Sequence, residues 1–317
     1  VINLIYLLLC FASATPTWAG GIDWHSNLCA GQKKFLEEGI KNRVSFKELG
    51  EKIQKISPKI IFLGEFHTDD TALSYPSLLK SFKAGLPALD CLAFEADPKN
   101  NPDGLKRDPW RKLAELAKKN YNMESHLVDG ACTGQDGWSE ENTKGNEFMK
   151  INTRNHCMAG NLAALLEGEK CHQILMINGA IHLQENYLDG RPGIPARLRD
   201  AGIPVFSAFA LDLSRGNSKA RQSSLDAWIW PQGPKPGKSW NDLGVMDALC
   251  TDVPGANGEN YAFLTGGMNL ASKVPITHVN SPEGGNSGAW DQFDALIMLS
   301  CPGFAGDRCG ENSGSLK

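Results

Sequence analysis

This 317-residue chain is short of several things at once. It has no Cys-x-x-Cys pair among its nine cysteines, which argues against a zinc ribbon or a thioredoxin-type redox site. It has no cluster of Lys or Arg, and 32 basic residues against 36 acidic ones leave a formal net charge of −4. Duplex nucleic acid rewards concentrated positive charge, so no nucleic-acid partner is expected. It has no long low-complexity tract. Its longest N-terminal apolar run, Leu4 to Ala12, falls short of the roughly 20 residues a membrane-spanning helix needs. Finally, residues 1–19 contain no Asp, Glu, Lys or Arg at all.

That last absence is itself a signal. An uncharged apolar run followed by small residues fits the h-region of a secretory leader, here without a basic n-region. Cleavage is expected after Ala19, or failing that after Ala14. The reading is an exported protein, periplasmic or secreted, with residues 1–19 as signal peptide and no transmembrane segment after cleavage. Cys10 lies inside the leader, leaving eight cysteines, and an even count in an exported chain suggests disulfides. Cys301 and Cys309 are the first candidates for a short closed loop, and Cys157 and Cys171 are also near enough in sequence. Cys91, in an apolar run, reads as a buried thiol.

Helix-like and strand-like segments alternate along the chain. Lys33 to Ile56 has helical spacing up to the break at Pro58, and Ile60–Leu63 is the first strand. Helices are expected at Ser77–Ala84, Trp110–Lys119, Asn155–Leu166 and Ala196–Ala201. Strands are expected at Cys91–Phe94, His126–Val128, Ile174–Ile177 and Val205–Phe209. Near-continuous apolar strands between helices predict an α/β fold, a mainly parallel central sheet with helices on both faces. Residues 228–290 are rich in Gly, Pro and Trp and read as loops or hairpins, a lid or wall beside the domain. Trp228 and Trp230 there suit packing or a substrate wall. Asp294–Leu299 looks like a closing core strand, so residues 20–317 form one domain with its core at 58–212 and its last strand at 294–300.

The chemistry gathers where strands end. Gly64-Glu65-Phe66-His67 and Gly179-Ala180-Ile181-His182 each deliver a histidine just beyond an apolar strand, and Glu95 closes the second strand. Carboxyl ends of strands are where open α/β sheets bind ligands. Glu65 and His67, two residues apart, share a face in extended chain. Asp129 ends the third strand and is a fifth candidate. Two histidines with carboxylates suit a divalent metal with an open position for water, with Glu65, His67 and His182 as ligands. The same set suits a metal-free hydrolase in which His67 is the general base and Glu65 or Glu95 fixes its tautomer. Arg154, opening the helix before the fourth strand, either pairs with a carboxylate or holds an anionic substrate.

Gly64-Glu65-x-His67, Glu95, Arg154-Asn155-x-x-Met158-Ala159 and Gly179-x-x-His182 resemble the erythromycin esterase/ChaN-like superfamily, which also takes in the TraB and Tiki proteins. The resemblance covers roughly residues 58–212. It implies, by branch, lactone opening by the histidines and glutamates, metal-dependent proteolysis, or haem binding through a tyrosine for iron uptake. The haem tyrosine has no aligned counterpart here, although Tyr75 lies nearby. Two readings follow. One is an exported hydrolase of an ester, lactone or amide, acting on a small molecule or peptide through Glu65, His67, Glu95, Arg154 and His182. The other is a haem-binding protein without catalysis.

Overall fold

The structure is a computed structural model; it describes residues 37–65, 74–99, 101–102, 104–130, 147–183, 192–212, 260–265 and 293–299. The leader, His67, residues 213–259 and the Cys301–Cys309 pair lie outside them.

Local chemistry sets the element ends. Helix α1 (Phe46–Ile56) opens on a capping box: Ser45 Oγ accepts from Glu48 N at 3.2 Å, and Glu48 Oε2 accepts from Ser45 N at 2.8 Å. It stops at Ser57 in the left-handed region (φ 51°), just before Pro58. Strand β1 (Ile60–Glu65) follows. Helices α2 (Tyr75–Gly85) and α3 (Asp108–Tyr121) both start with proline in the first turn, where the missing N–H costs nothing. Between them runs β2 (Cys91–Phe94), and after α3 comes β3 (Glu124–Leu127). Helix α4 (Glu147–Glu167) leads into β4 (Ile174–Gly179) and a 3₁₀ turn (Ala180–Leu183). Helix α5 (Ile194–Asp200), β5 (Val205–Asp212), β6 (Tyr261–Leu264) and β7 (Ala295–Leu299) complete the described elements.

The strands form one seven-stranded sheet among the described residues, in the order β3-β2-β4-β1-β5-β7-β6. Every pairing is parallel except β6 with β7. Helices cover both faces. Ile61, Leu63, Leu92, Phe94, Leu175 and Ile177 pack with α1–α3 through Leu49, Phe82, Trp110 and Leu113. Ile60, Phe62, Ala93, Ile174 and Met176 pack with α4 and α5 through Met158, Leu162 and Leu198. The expected fold class is therefore the observed one.

Three expectations change. The helix expected over Lys33–Ile56 is broken: residues 37–41 are helical, then Val44 bridges Ala262 before Ser45 restarts the helix. That bridge gives the outer strand β6 a partner for its free edge, which outweighs the helical periodicity of this stretch. Second, the Gly/Pro-rich excursion contributes β6, an antiparallel strand. Third, Cys91 is no free thiol, and Cys171 does not pair with Cys157. Cys91 and Cys171 form a disulfide across 80 positions, because β2 and β4 are neighbours with Cys91 beside Ile174. Cys157 is also disulfide-bonded. Among the described residues no helix is long and apolar enough to cross a membrane.

Candidate functional site

In a parallel sheet all carboxyl ends share an edge, but alternate side chains leave it on opposite faces. Glu65 continues the Ile61, Leu63 series and goes to the α1–α3 side. Glu95 continues Cys91, Ala93 and goes to the α4–α5 side. The two glutamates flank β4, since the order is β2-β4-β1, yet they belong to different clusters.

On the α1–α3 side, the buried Glu65 accepts a hydrogen bond and ion pair from Arg107 Nη1. Arg107 is the residue just before α3, and its guanidinium lies 4.6 Å above the ring of Trp110, one turn on. Trp110 in turn meets Phe94 at 5.5 Å, so the arginine is held by an aromatic shelf as well as by a carboxylate.

On the α4–α5 side the groups are more numerous. Glu95 Oε1 accepts from Arg154 Nη2 at 2.5 Å and lies 2.9 Å from His182 Nε2; its Oε2 accepts from Gly179 N at 2.6 Å. Asp129 takes Arg154 in a fork, Oδ1 from Nε at 3.1 Å and Oδ2 from Nη2 at 2.5 Å. Asn161, two turns along α4, donates to Val128 O at 3.0 Å and so fixes the helix against the segment that carries Asp129. His182 sits in the 3₁₀ turn after β4 and is buried; its Nδ1 lies 2.5 Å from Asn155 Oδ1.

Burial lowers the affinity of Arg154 for its proton, but the hydrogen bond to Asp129 and the charges of Glu95 and Asp129 outweigh that, leaving its pKa above the usual arginine range. Both ring nitrogens of His182 face oxygens, Nδ1 that of Asn155 and Nε2 that of Glu95. Asn155 Nδ2 is buried with no hydrogen-bond partner among the described residues. Turning the amide over would bring Nδ2 to the ring and suit the neutral imidazole. The cluster sets a buried imidazole–carboxylate pair next to an arginine whose Nη1 makes no hydrogen bond among the described residues.

The structure brings Glu95, Arg154, Asp129 and His182 together. It sets Glu65 on the other face with Arg107, and His67 falls outside the described residues. A metal on Glu65, His67 and His182 does not suit the two described donors: Arg107 neutralises Glu65, and both nitrogens of His182 are already engaged. Among the described residues the one set of metal-type donors gathered at a point is elsewhere, Cys91, His126 and Cys171.

Arg107 and Asn178 escaped the sequence reading, and Asn155 stood in it only as part of the Arg154-Asn155-x-x-Met158-Ala159 motif, with no role of its own. Asn155 had a signal: it sits three before Met158 and seven before Leu162, on the stripe α4 turns to the sheet, and an amide on an apolar stripe asks for a partner. Asn178, buried beside Gly64 on β1, likewise interrupts an apolar strand. Arg107 had none, because its pairing follows from which face Glu65 takes.

No family model matches the chain, and no curated protein matches it. Solved structures are similar to about half of it, among them the following three. The type III effector HopBA1 is 12% identical over 50% of this chain and 79% of its own, with a TM-score of 0.30. ChaN of Campylobacter jejuni, solved with cofacial haem, is 12% identical over 53% and 86%, at 0.35. The signal recognition particle receptor FtsY of Elizabethkingia anophelis, solved with GDP, is 14% identical over 55% and 46%, at 0.30. Likeness this slight says nothing about the site.

Proposed function

We propose that this chain is an exported hydrolase of ester, lactone or amide bonds, working through Glu65, His67, Glu95, Arg154 and His182 on a small-molecule or peptide substrate. The observation that carries the reading is the buried Glu95–His182 pair beside Arg154 at the carboxyl edge of the sheet. A buried charged cluster of this kind adds little to stability compared with apolar packing, so its retention there favours a chemical task. In the proposed reaction Arg154 Nη1 donates to the carbonyl oxygen of the scissile bond and stabilises the charge that develops on it. Water adds to the carbonyl carbon as His67 takes its proton. The bond to the leaving oxygen or nitrogen then breaks, and that atom receives the proton held by the Glu95–His182 pair. Glu65, paired with Arg107, orients His67. A version with a divalent cation on Glu65, His67 and His182 requires His182 to give up one of its two hydrogen bonds, so the metal-free route is preferred.

Haem binding without catalysis is the second reading. Its support is Tyr75 at the start of α2, buried with a hydroxyl that has no hydrogen bond among the described residues. The test is a panel of ester, lactone and peptide substrates run beside a visible-light haemin titration and element analysis of the purified protein. Turnover of one substrate class without bound metal is expected. No turnover of any class, with tight haemin binding, would overturn the hydrolase in favour of the haem protein.

A further inference from the structure

At the opposite end of β2 from Glu95, a second cluster uses none of those residues. Cys91 begins β2, Cys171 lies three residues before β4, and His126 stands on β3 opposite Ala93. His126 is therefore two positions along from Cys91 on the same face of the sheet. Its Nε2 lies 3.7 Å from Cys91 Sγ, and one donor atom from each of the three residues falls within 4.8 Å of the others. Zinc bonds of about 2.3 Å to sulfur and 2.0–2.1 Å to nitrogen place tetrahedral sulfur and nitrogen ligands about 3.5 Å apart, close to what is seen. The His126 ring is half-buried, which leaves a route in for an ion. While the cysteines are joined, neither sulfur is a thiolate and the set is inert.

We propose that reduction of the Cys91–Cys171 disulfide converts this cluster into a site for a thiophilic divalent cation, zinc by preference, held by Cys91, Cys171 and His126. A dithiol reductant supplies the two electrons and two protons: its sulfurs pair as the Cys91–Cys171 bond opens to two thiols. Each thiol releases its proton as its sulfur takes the cation, His126 gives the lone pair of Nε2, and water fills the fourth position. The same three residues thus act as a covalent staple when oxidised and as a metal site when reduced.

The test uses full-length mature protein, oxidised and dithiol-reduced, equilibrated with zinc, desalted and assayed for bound metal, with circular dichroism to follow the fold. Reduced wild type should retain one equivalent more than the oxidised protein. His126→Ala should weaken that equivalent by more than the roughly 10–100-fold typical of losing an outer-shell partner, and Cys91→Ser with Cys171→Ser should abolish it. Because other cysteines are also freed by reductant, the histidine variant is the deciding one. Equal zinc retention in reduced wild type and His126→Ala would overturn the proposal, as would loss of fold on reduction or an equal metal content in both redox states.

Discussion

Arg154 answers to two carboxylates, and its replacement tests the cluster residue by residue. Arg154→Ala leaves Glu95 and Asp129 facing each other without their shared cation, and the fold should lose roughly 3 kcal/mol, measured by urea unfolding. Arg154→Lys should recover part of this but not the fork to Asp129, since an ammonium cannot serve both oxygens in the plane. Asp90 offers a pH test. Burial pushes its carboxyl pKa up, but the Gln173 backbone bond, the His172 side chain and the His172 backbone outweigh this and hold it below the usual range. A depressed carboxylate stabilises the fold fully above its unfolded pKa of about 3.9 and loses that contribution as pH falls through the folded value. Asp90→Asn should therefore melt lower than wild type at about pH 7, and the gap should close towards about pH 2. At this scale the strand-end groups Glu95 and His182 were legible because each follows an apolar run, and Arg154 because it stands at the start of the helix before the fourth strand. Their company was not. One residue of register decides which face Glu65 and Glu95 take, and the sequence spacing of the two motifs does not contain it. His182 is itself buried, its Nδ1 set against Asn155 of α4 by the 3₁₀ turn.

Among the elements, two glycines distinguish close packing from open surface. A Cβ on Gly85 at the end of α2 would stand 2.8 Å from Gly50 C and 3.0 Å from Glu51 N of α1, backbone atoms that have little freedom to yield. Gly85→Ala should cost about 1–3 kcal/mol by forcing the two helices apart. Gly160 on the exposed side of α4 has nothing within 4 Å, and Gly160→Ala should gain up to about 1 kcal/mol from helix propensity alone. Thermal unfolding of both variants reads the difference, and a shift of the same sign in each would contradict the packing described. The core strands were legible for the reason that makes them core: β2 and β7 are unbroken apolar runs, and β1 and β4 begin with one (Ile60–Leu63 and Ile174–Ile177), all buried on both faces. Strand β6 was missed because four residues, Tyr261–Leu264, sit inside a stretch dominated by glycine, proline and tryptophan. The break at residues 42–45 was missed because it depends on Ala262, over two hundred residues away.

For the whole molecule, the disulfide map is the direct check on topology. Proteolysis of unreduced protein and mass spectrometry should yield a Cys91–Cys171 peptide pair and no Cys157–Cys171 pair. The pairing could not be read from the spacing of cysteines, because it reflects which strands lie side by side. The most direct test of the proposed chemistry is the turnover of a hydrolysed substrate by wild type, Glu95→Gln, His182→Gln and the double variant, each shown folded by circular dichroism. Each single change should lower kcat/KM by about 10²–10⁴, and the double variant should lose little more than either, because in the proposed reaction the two groups act as one unit. A folded Glu95→Gln or His182→Gln protein that keeps the wild-type kcat/KM would contradict it.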